Sequence, residues 1–110
     1  MKQITEQMIE WSVTPEIEHM HPDDCFALDV DAQTEIVNSI IQDSETNEWA
    51  WCCVCVKGSF EGIEAKSYLG ACSYESRKEF EQSGYYEDLK QEVLNELNNK
   101  ARNLIQTLIA

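Results

Sequence analysis

Residues 47–58 read NEWAWCCVCVKG and hold three of the chain's five cysteines and two of its three tryptophans. Whether this stretch is a metal or redox site or a strand decides the fold. Cys52 and Cys55 have the C-x-x-C spacing of zinc and thioredoxin-like motifs, in which a turn or helix start brings two sulfurs together. No Gly, Pro, Asn or Asp lies between Ala50 and Lys57 to make that turn. The run is β-branched and aromatic and has no helical period, so it reads as a strand from Trp49 to about Phe60. Residues three apart in a strand point to opposite faces. Cys52 then sides with Ala50, Val54 and Val56, and Cys55 sides with Trp49, Trp51 and Cys53, so the pair cannot chelate one ion. Cys53 and Cys55 share a face but stand too far apart to bridge without distortion. The reading is therefore structural core, with cysteine packing as a small hydrophobe, and with no metal and no cofactor.

This strand needs a partner, and Ile63 to Tyr74 supplies one. Glu61-Gly62 lies between the apolar Phe60 and Ile63, the pattern of a tight hairpin. In that register Val54 faces Leu69, Trp51 faces Cys72 and Trp49 faces Tyr74. Trp49, Trp51, Tyr68 and Tyr74 then form a second apolar face. A two-stranded sheet alone is marginal. That face is expected to be covered by the N-terminal segment or by a second copy, as a homodimer through the hairpin.

The rest of the chain reads mainly as helix. Asp31 stands where a cap is needed, and Ala32, Ile36, Val37, Ile40 and Ile41 follow at helical spacing up to Gln42. Ser76-x-x-Glu79 is a capping box for a short helix that Gly84 is placed to end. From Tyr86 to about Leu108 runs the longest helix. Its stripe is Leu89, Val93, Leu97, Leu104 and Leu108, widened by Leu94, Ala101 and Ile105, with Asn98 and Lys100 outside it. Residues 1–30, broken by Pro15 and Pro22, read as an irregular acidic segment, although its first thirteen residues also fit a strand or a short helix. The expectation is one domain over 1–110, of α+β class. It has a small antiparallel sheet built on one β-hairpin, flanking helices and a long C-terminal helix.

Charge excludes several functions. Twenty-one acidic against eight basic side chains give a net charge of −13. Nucleic acid bound directly, or an anionic membrane surface, would need Lys and Arg that the chain lacks. Residues 3–56 contain no Lys or Arg and twelve acids, whereas the remainder has nine acids and eight bases. Ten of those acids are the candidate partner-binding residues: Glu16, Glu18, Asp23, Asp24, Asp29, Asp31, Glu35, Asp43, Glu45 and Glu48. Regularly placed carboxylates on a rigid scaffold can stand in for backbone phosphates, so the expected partner is a basic protein or a nucleic-acid-binding complex of a host.

Other chemistry is weakly signalled. His19-x-His21-x-x-x-Cys25, with Asp23 and Asp24, has metal-type donors but no second pair at matching spacing, and reads as a polar loop around Pro22. No nucleophile elbow, phosphate-cradling glycine run or spaced acid–base pair is present, so no catalytic residue is assigned. No run approaches a membrane span, the segment MKQITEQMIEW is unlike a secretory signal, and unpaired cysteines fit a reducing compartment. The expected location is bacterial cytoplasm, on the grounds that follow.

WAWCCVCV (49–56), SYLGACSYES (67–76) and EFEQSGYYEDL (79–89) resemble a group of small bacteriophage and prophage proteins. These share a W-A-W strand, a Y-L-G-x-C-S-Y segment and a G-Y-Y-x-D pair before the last helix. The resemblance spans about residues 47–90 and implies context: a phage or mobile-element product acting in the host cytoplasm. Together with the charge, that context gives the functional expectation of an inhibitor of a host defence nucleoprotein, anti-CRISPR-like or antirestriction-like, acting as a DNA mimic. The alternative is a dimeric phage accessory or structural interaction protein with no defence target.

Overall fold

A computed structural model describes residues 3–24 and 30–109, and the class is α+β. The element order is strand β1 (Glu10–Glu16), helix α1 (Val30–Ser44), strands β2 (Cys52–Phe60) and β3 (Ile63–Cys72), helix α2 (Arg77–Gln82) and helix α3 (Gly84–Ile109). Single 3-10 turns at Glu6–Met8, Pro22–Asp24 and Glu48–Ala50 join them. The three strands form one antiparallel sheet in the order β1-β2-β3.

The hairpin forms where the sequence placed it. Phe60 pairs with Ile63, and Glu61 and Gly62 are the two loop residues, at φ 49° and 82°. Left-handed backbone at both positions is what a type I′ turn requires, and it matches the twist of the flanking strands. A Cβ at Gly62 would meet nothing within 4 Å, so glycine serves the backbone angle there and not a close contact.

Several expectations need correction. First, the segment assigned as irregular contains β1, which pairs along β2 from Glu10↔Ser59 to Glu16↔Cys53. It widens the sheet as an edge strand, where Pro15 is tolerated, and the residues after it reach the expected second face, with Trp51 Nε1 donating to the Met20 carbonyl at 2.9 Å. Second, the register slips by one residue near the open end of the hairpin. Val54 faces Leu69 as expected, but Cys52, not Trp51, faces Cys72. The extra residue is a bulge in β3, with Ala71 at φ 55°. Third, Gly84 does not end α2; Ser83 is its C-cap and Gly84 opens α3. Fourth, α1 begins at Val30, so Asp31 lies in its first turn and does not precede it.

The slip matters because a one-residue shift sends every following side chain to the other face. Beyond the bulge, Tyr74 turns to the core side and meets Phe80 edge-on, with centroids 5.4 Å apart. Trp49 belongs to the 3-10 turn, not the strand, and lies over the same ring at 6.1 Å. Trp49 and Tyr74 thus leave the second apolar face expected of the hairpin, whereas Trp51 and Tyr68 stay outside the core cluster. That face carries Glu10, Ser12, Thr14 and Glu16 of β1 beside Cys53, Cys55 and Lys57 of β2 and Lys66 and Tyr68 of β3, with Trp51 at its end.

The core lies on the other side of the sheet. Val54, Val56, Phe80, Val93 and Leu97 are wholly inaccessible, and Ile4, Ile9, Val13, Trp49, Cys52, Ala65, Cys72, Leu89 and Ala101 complete the cluster. Gly58 allows the close approach of α3, since a Cβ there would stand 2.8 Å from both Ile9 Cγ2 and Val93 Cγ1. Asn98, expected outside the stripe, is buried. Its amide accepts from Ile4 N–H at 2.9 Å and donates to the Ile4 carbonyl at 3.1 Å, which ties the N-terminal segment to α3. Lys90 adds a second tie. It pairs with Glu6 at 2.5 Å and Glu87 at 3.0 Å, and lies over the Tyr86 ring at 4.5 Å. Burial would lower its pKa, but the two carboxylates outweigh that and leave it raised. Leu104 and Leu108, expected in the buried stripe, are 50% and 75% exposed.

Candidate functional site

The helix α1 is held against the 3-10 turns and not along the sheet. Val37 and Ile40 are buried, whereas Ile36 and Ile41 are exposed, contrary to the expected single covered stripe. The end of α1 is fastened by Asn47. Its side-chain oxygen accepts from Trp49 N–H at 3.1 Å, and its amide group donates to the Glu75 carbonyl at 2.9 Å. A backbone bond from Tyr74 N–H to the Trp49 carbonyl closes the same junction at 2.8 Å. The start of α2 is set by the expected cap, in which Glu79 N–H donates to Ser76 Oγ at 3.3 Å and the Glu79 carboxylate accepts from Glu75 N–H at 3.4 Å.

These fastenings bring carboxylates from distant sequence together. Asp43, Thr46, Asn47, Ser73, Glu75 and Glu79 are among the residues lining a cleft of about 390 Å³ between the end of α1 and the start of α2. A shallower groove continues along α1 past Ser73 and Asp43 to Glu35, with Ile36 and Ile40 in its wall. Around the turn, Glu45 and Glu48 line a further depression. The ion pairs of Lys and Arg among the described residues lie elsewhere: Lys57–Glu64, Arg77–Glu81, Lys90 with Glu6 and Glu87, and Lys100–Glu96. The flank of α1 thus carries Glu35, Asp43, Glu45, Glu48, Glu75 and Glu79 without a basic partner among the described residues.

The ten expected site residues divide. Glu35, Asp43, Glu45 and Glu48 belong to this flank. Glu16 lies on the open sheet face. Asp23 and Asp24 sit in the 3-10 turn after His21, where His21 Nδ1 approaches the Asp23 carboxylate at 3.5 Å. Glu18 has a structural task. Its carboxylate accepts from Ala71 N–H at 2.6 Å, taking up a donor at the bulge, and from Met20 N–H at 3.0 Å. Those bonds, the Ala71 one foremost, hold its pKa below the ordinary glutamate value. Asp29 and the side chain of Asp31 lie outside the described residues, as does Cys25 of the histidine cluster. Glu75 and Glu79 were missed because they belong to the half of the chain whose charges balance. The capping box at Ser76-x-x-Glu79 was the available signal, since it places both at one helix start.

The cysteines take the places expected from strand geometry. Cys52 joins Val54 and Val56 in the core, and Cys55 faces the other side. Cys52 and Cys72 are paired across the hairpin with free thiols. Burial pushes Cys52 up to about 12 and Cys72 up to about 11. Such thiols stay protonated at neutral pH and are poor nucleophiles and metal ligands. Burial also raises Cys55, and the Glu16 carboxylate beside it adds to the effect. Among the described residues no three His, Cys, Asp or Glu side chains are grouped to hold a metal ion, and no helix is long and apolar enough to cross a membrane. Comparison with family models, curated proteins and solved structures found no significant match.

Proposed function

We propose that the chain is a non-catalytic acidic binding protein that docks on the cationic groove of a nucleic-acid-binding complex and excludes the nucleic acid. The observation that carries this reading is the flank of α1, where Glu35, Asp43, Glu45, Glu48, Glu75 and Glu79 stand together without a basic partner among the described residues. Like charges held together oppose folding, and an arriving row of Lys and Arg side chains would relieve that repulsion. The Ile36 side chain in the groove wall offers apolar contact to the stems of those residues. With the phage context of the sequence, the partner is a host defence nucleoprotein in the bacterial cytoplasm, and the chain is its anti-CRISPR-like or antirestriction-like inhibitor. The accessory-protein reading draws support from a different feature, the exposed Leu104 and Leu108.

The test is an affinity pull-down from host lysate at low and high salt, using the natural chain and a Glu35→Gln/Asp43→Asn/Glu75→Gln variant. A nucleic-acid-binding complex should be recovered stripped of its nucleic acid, with association falling steeply as salt rises. The variant should lose it. Glu18 is kept intact, because its carboxylate supports the fold. Recovery of virion proteins, indifferent to both salt and the variant, would favour the accessory reading.

A further inference from the structure

The helix α3 outruns the sheet it packs on. Lys100 Nζ donates to the Glu64 carbonyl at 2.7 Å, and Glu64 is two residues past the hairpin turn. Lys100 thus stands near the tip of the hairpin, and α3 runs on to Ile109, about 13 Å further at the helical rise, with Ala101 still covered and Leu104 and Leu108 past the cover. The apolar stripe does not stop at the sheet. Leu97, Ala101, Leu104 and Leu108 follow one another at spacings of four, three and four, the heptad pattern of a helix-on-helix seam. The first two are buried beneath the sheet, and the last two are 50% and 75% exposed.

Charge indicates what covers this projecting seam. Residues 97–110 form the longest stretch of the chain without Asp or Glu, and they carry Lys100 and Arg102. In a chain of net charge −13, contact between two copies through an acidic surface brings carboxylates against carboxylates. The end of α3 brings none. A foreign acidic surface would find only two cations there, both engaged: Lys100 with Glu64 and Glu96, and Arg102 with Asn98 and Asn99. The exposed part of the seam is apolar, narrow and able to pack on itself about a two-fold axis.

We propose that the chain self-associates through the projecting end of α3, the two helices packing antiparallel along Leu104 and Leu108. The buried area is small, about one helix face on each side, so the dimer is a reversible one that populates with concentration. It uses a surface remote from the acidic flank and does not depend on the proposed function.

The experiment is sedimentation velocity of the full chain over a wide concentration series, with Leu104→Lys/Leu108→Lys and Tyr68→Lys variants. The natural chain and Tyr68→Lys should move from the 12.7 kDa monomer toward twice that mass as concentration rises. Leu104→Lys/Leu108→Lys should weaken association more than tenfold with an unchanged far-ultraviolet circular dichroism spectrum, since both leucines lie outside the core. High salt should not weaken the dimer. A natural chain that stays monomeric throughout overturns the proposal. So does a dimer that survives the leucine changes, or one that is lost on Tyr68→Lys alone, which would place the contact on the open sheet face.

Discussion

Helices α1 and α3 have similar apolar patterns and different fates. In α3, Val93 and Leu97 are wholly buried, because the helix lies along a sheet face that Gly58 lets it approach closely. In α1, Val37 and Ile40 are covered, but Ile36 and Ile41 are not. Its neighbours are one-turn 3-10 segments, which present too narrow a surface to cover a whole stripe. Amphipathic spacing tells that a helix will bury a face; it does not tell how wide a surface will meet it. The contrast separates a helix that holds the fold from one that displays side chains.

The sharpest way to break this contrast is truncation of matched leucine and isoleucine positions. Leu97→Ala should cost about 2–5 kcal/mol, the range for a buried leucine whose surroundings cannot collapse. Ile40→Ala should cost about 1–2 kcal/mol, within the range of ordinary substitutions. Urea unfolding measures both, and equal losses would erase the distinction between the helices. Asn98→Ala comes next. It strips partners from both polar groups of the Ile4 backbone, at about 1–3 kcal/mol for each buried group. Faster hydrogen exchange at Ile4, with little change in α1, is the expected signature.

A smaller effect is expected at Glu18. Glu18→Gln keeps an oxygen for the Ala71 N–H but loses the charge, and should cost about 1 kcal/mol after allowance for partial exposure. A carboxyl whose folded pKa is depressed contributes its stability fully above its unfolded pKa and loses it as pH falls through the folded one. The natural chain should therefore exceed Glu18→Gln at neutral pH, and the two should converge in acid. Thermal unfolding across that range checks the sign. The smallest effect belongs to Glu35→Gln/Asp43→Asn/Glu75→Gln, which should change stability by less than about 0.5 kcal/mol. A large loss there would mean that the flank of α1 holds the fold instead of displaying charge.

Features set by neighbouring residues are legible in the sequence. The turn at Glu61-Gly62, the opposed faces of Cys52 and Cys55, the cap at Ser76 and the long last helix each depend on a few adjacent positions. What escaped was set across the chain. Ala71, not the adjacent Gly70, takes the left-handed conformation of the bulge. An alanine gives no such warning, so Tyr74 was assigned to the wrong face. Asn98 looks like any polar residue on a helix until Ile4 arrives to bond it. The acidic site was half legible. Its members on α1 and the turn after it stand in a run without bases, but Glu75 and Glu79 join them through the Asn47 bond to the Glu75 carbonyl and the Tyr74 bond to the Trp49 carbonyl.

The bonds between Ile4 and Asn98 span 94 positions of the chain, and this has a bearing on the order of assembly. Strands β2 and β3 are joined by two residues, and α2 and α3 follow directly, so that half can condense through short loops. Strand β1 must close a far longer loop before it gains anything, and loop closure costs entropy ahead of the contacts that repay it. The residue that fastens the segment ahead of β1, Asn98, lies further still along the chain. Folding should therefore proceed from hairpin and helix to β1, with Asn98→Ala speeding unfolding while hardly slowing folding. Stopped-flow kinetics in urea would show this as an unfolding limb raised at every urea concentration, with the folding limb unmoved. Equal changes on both limbs would mean that β1 docks early.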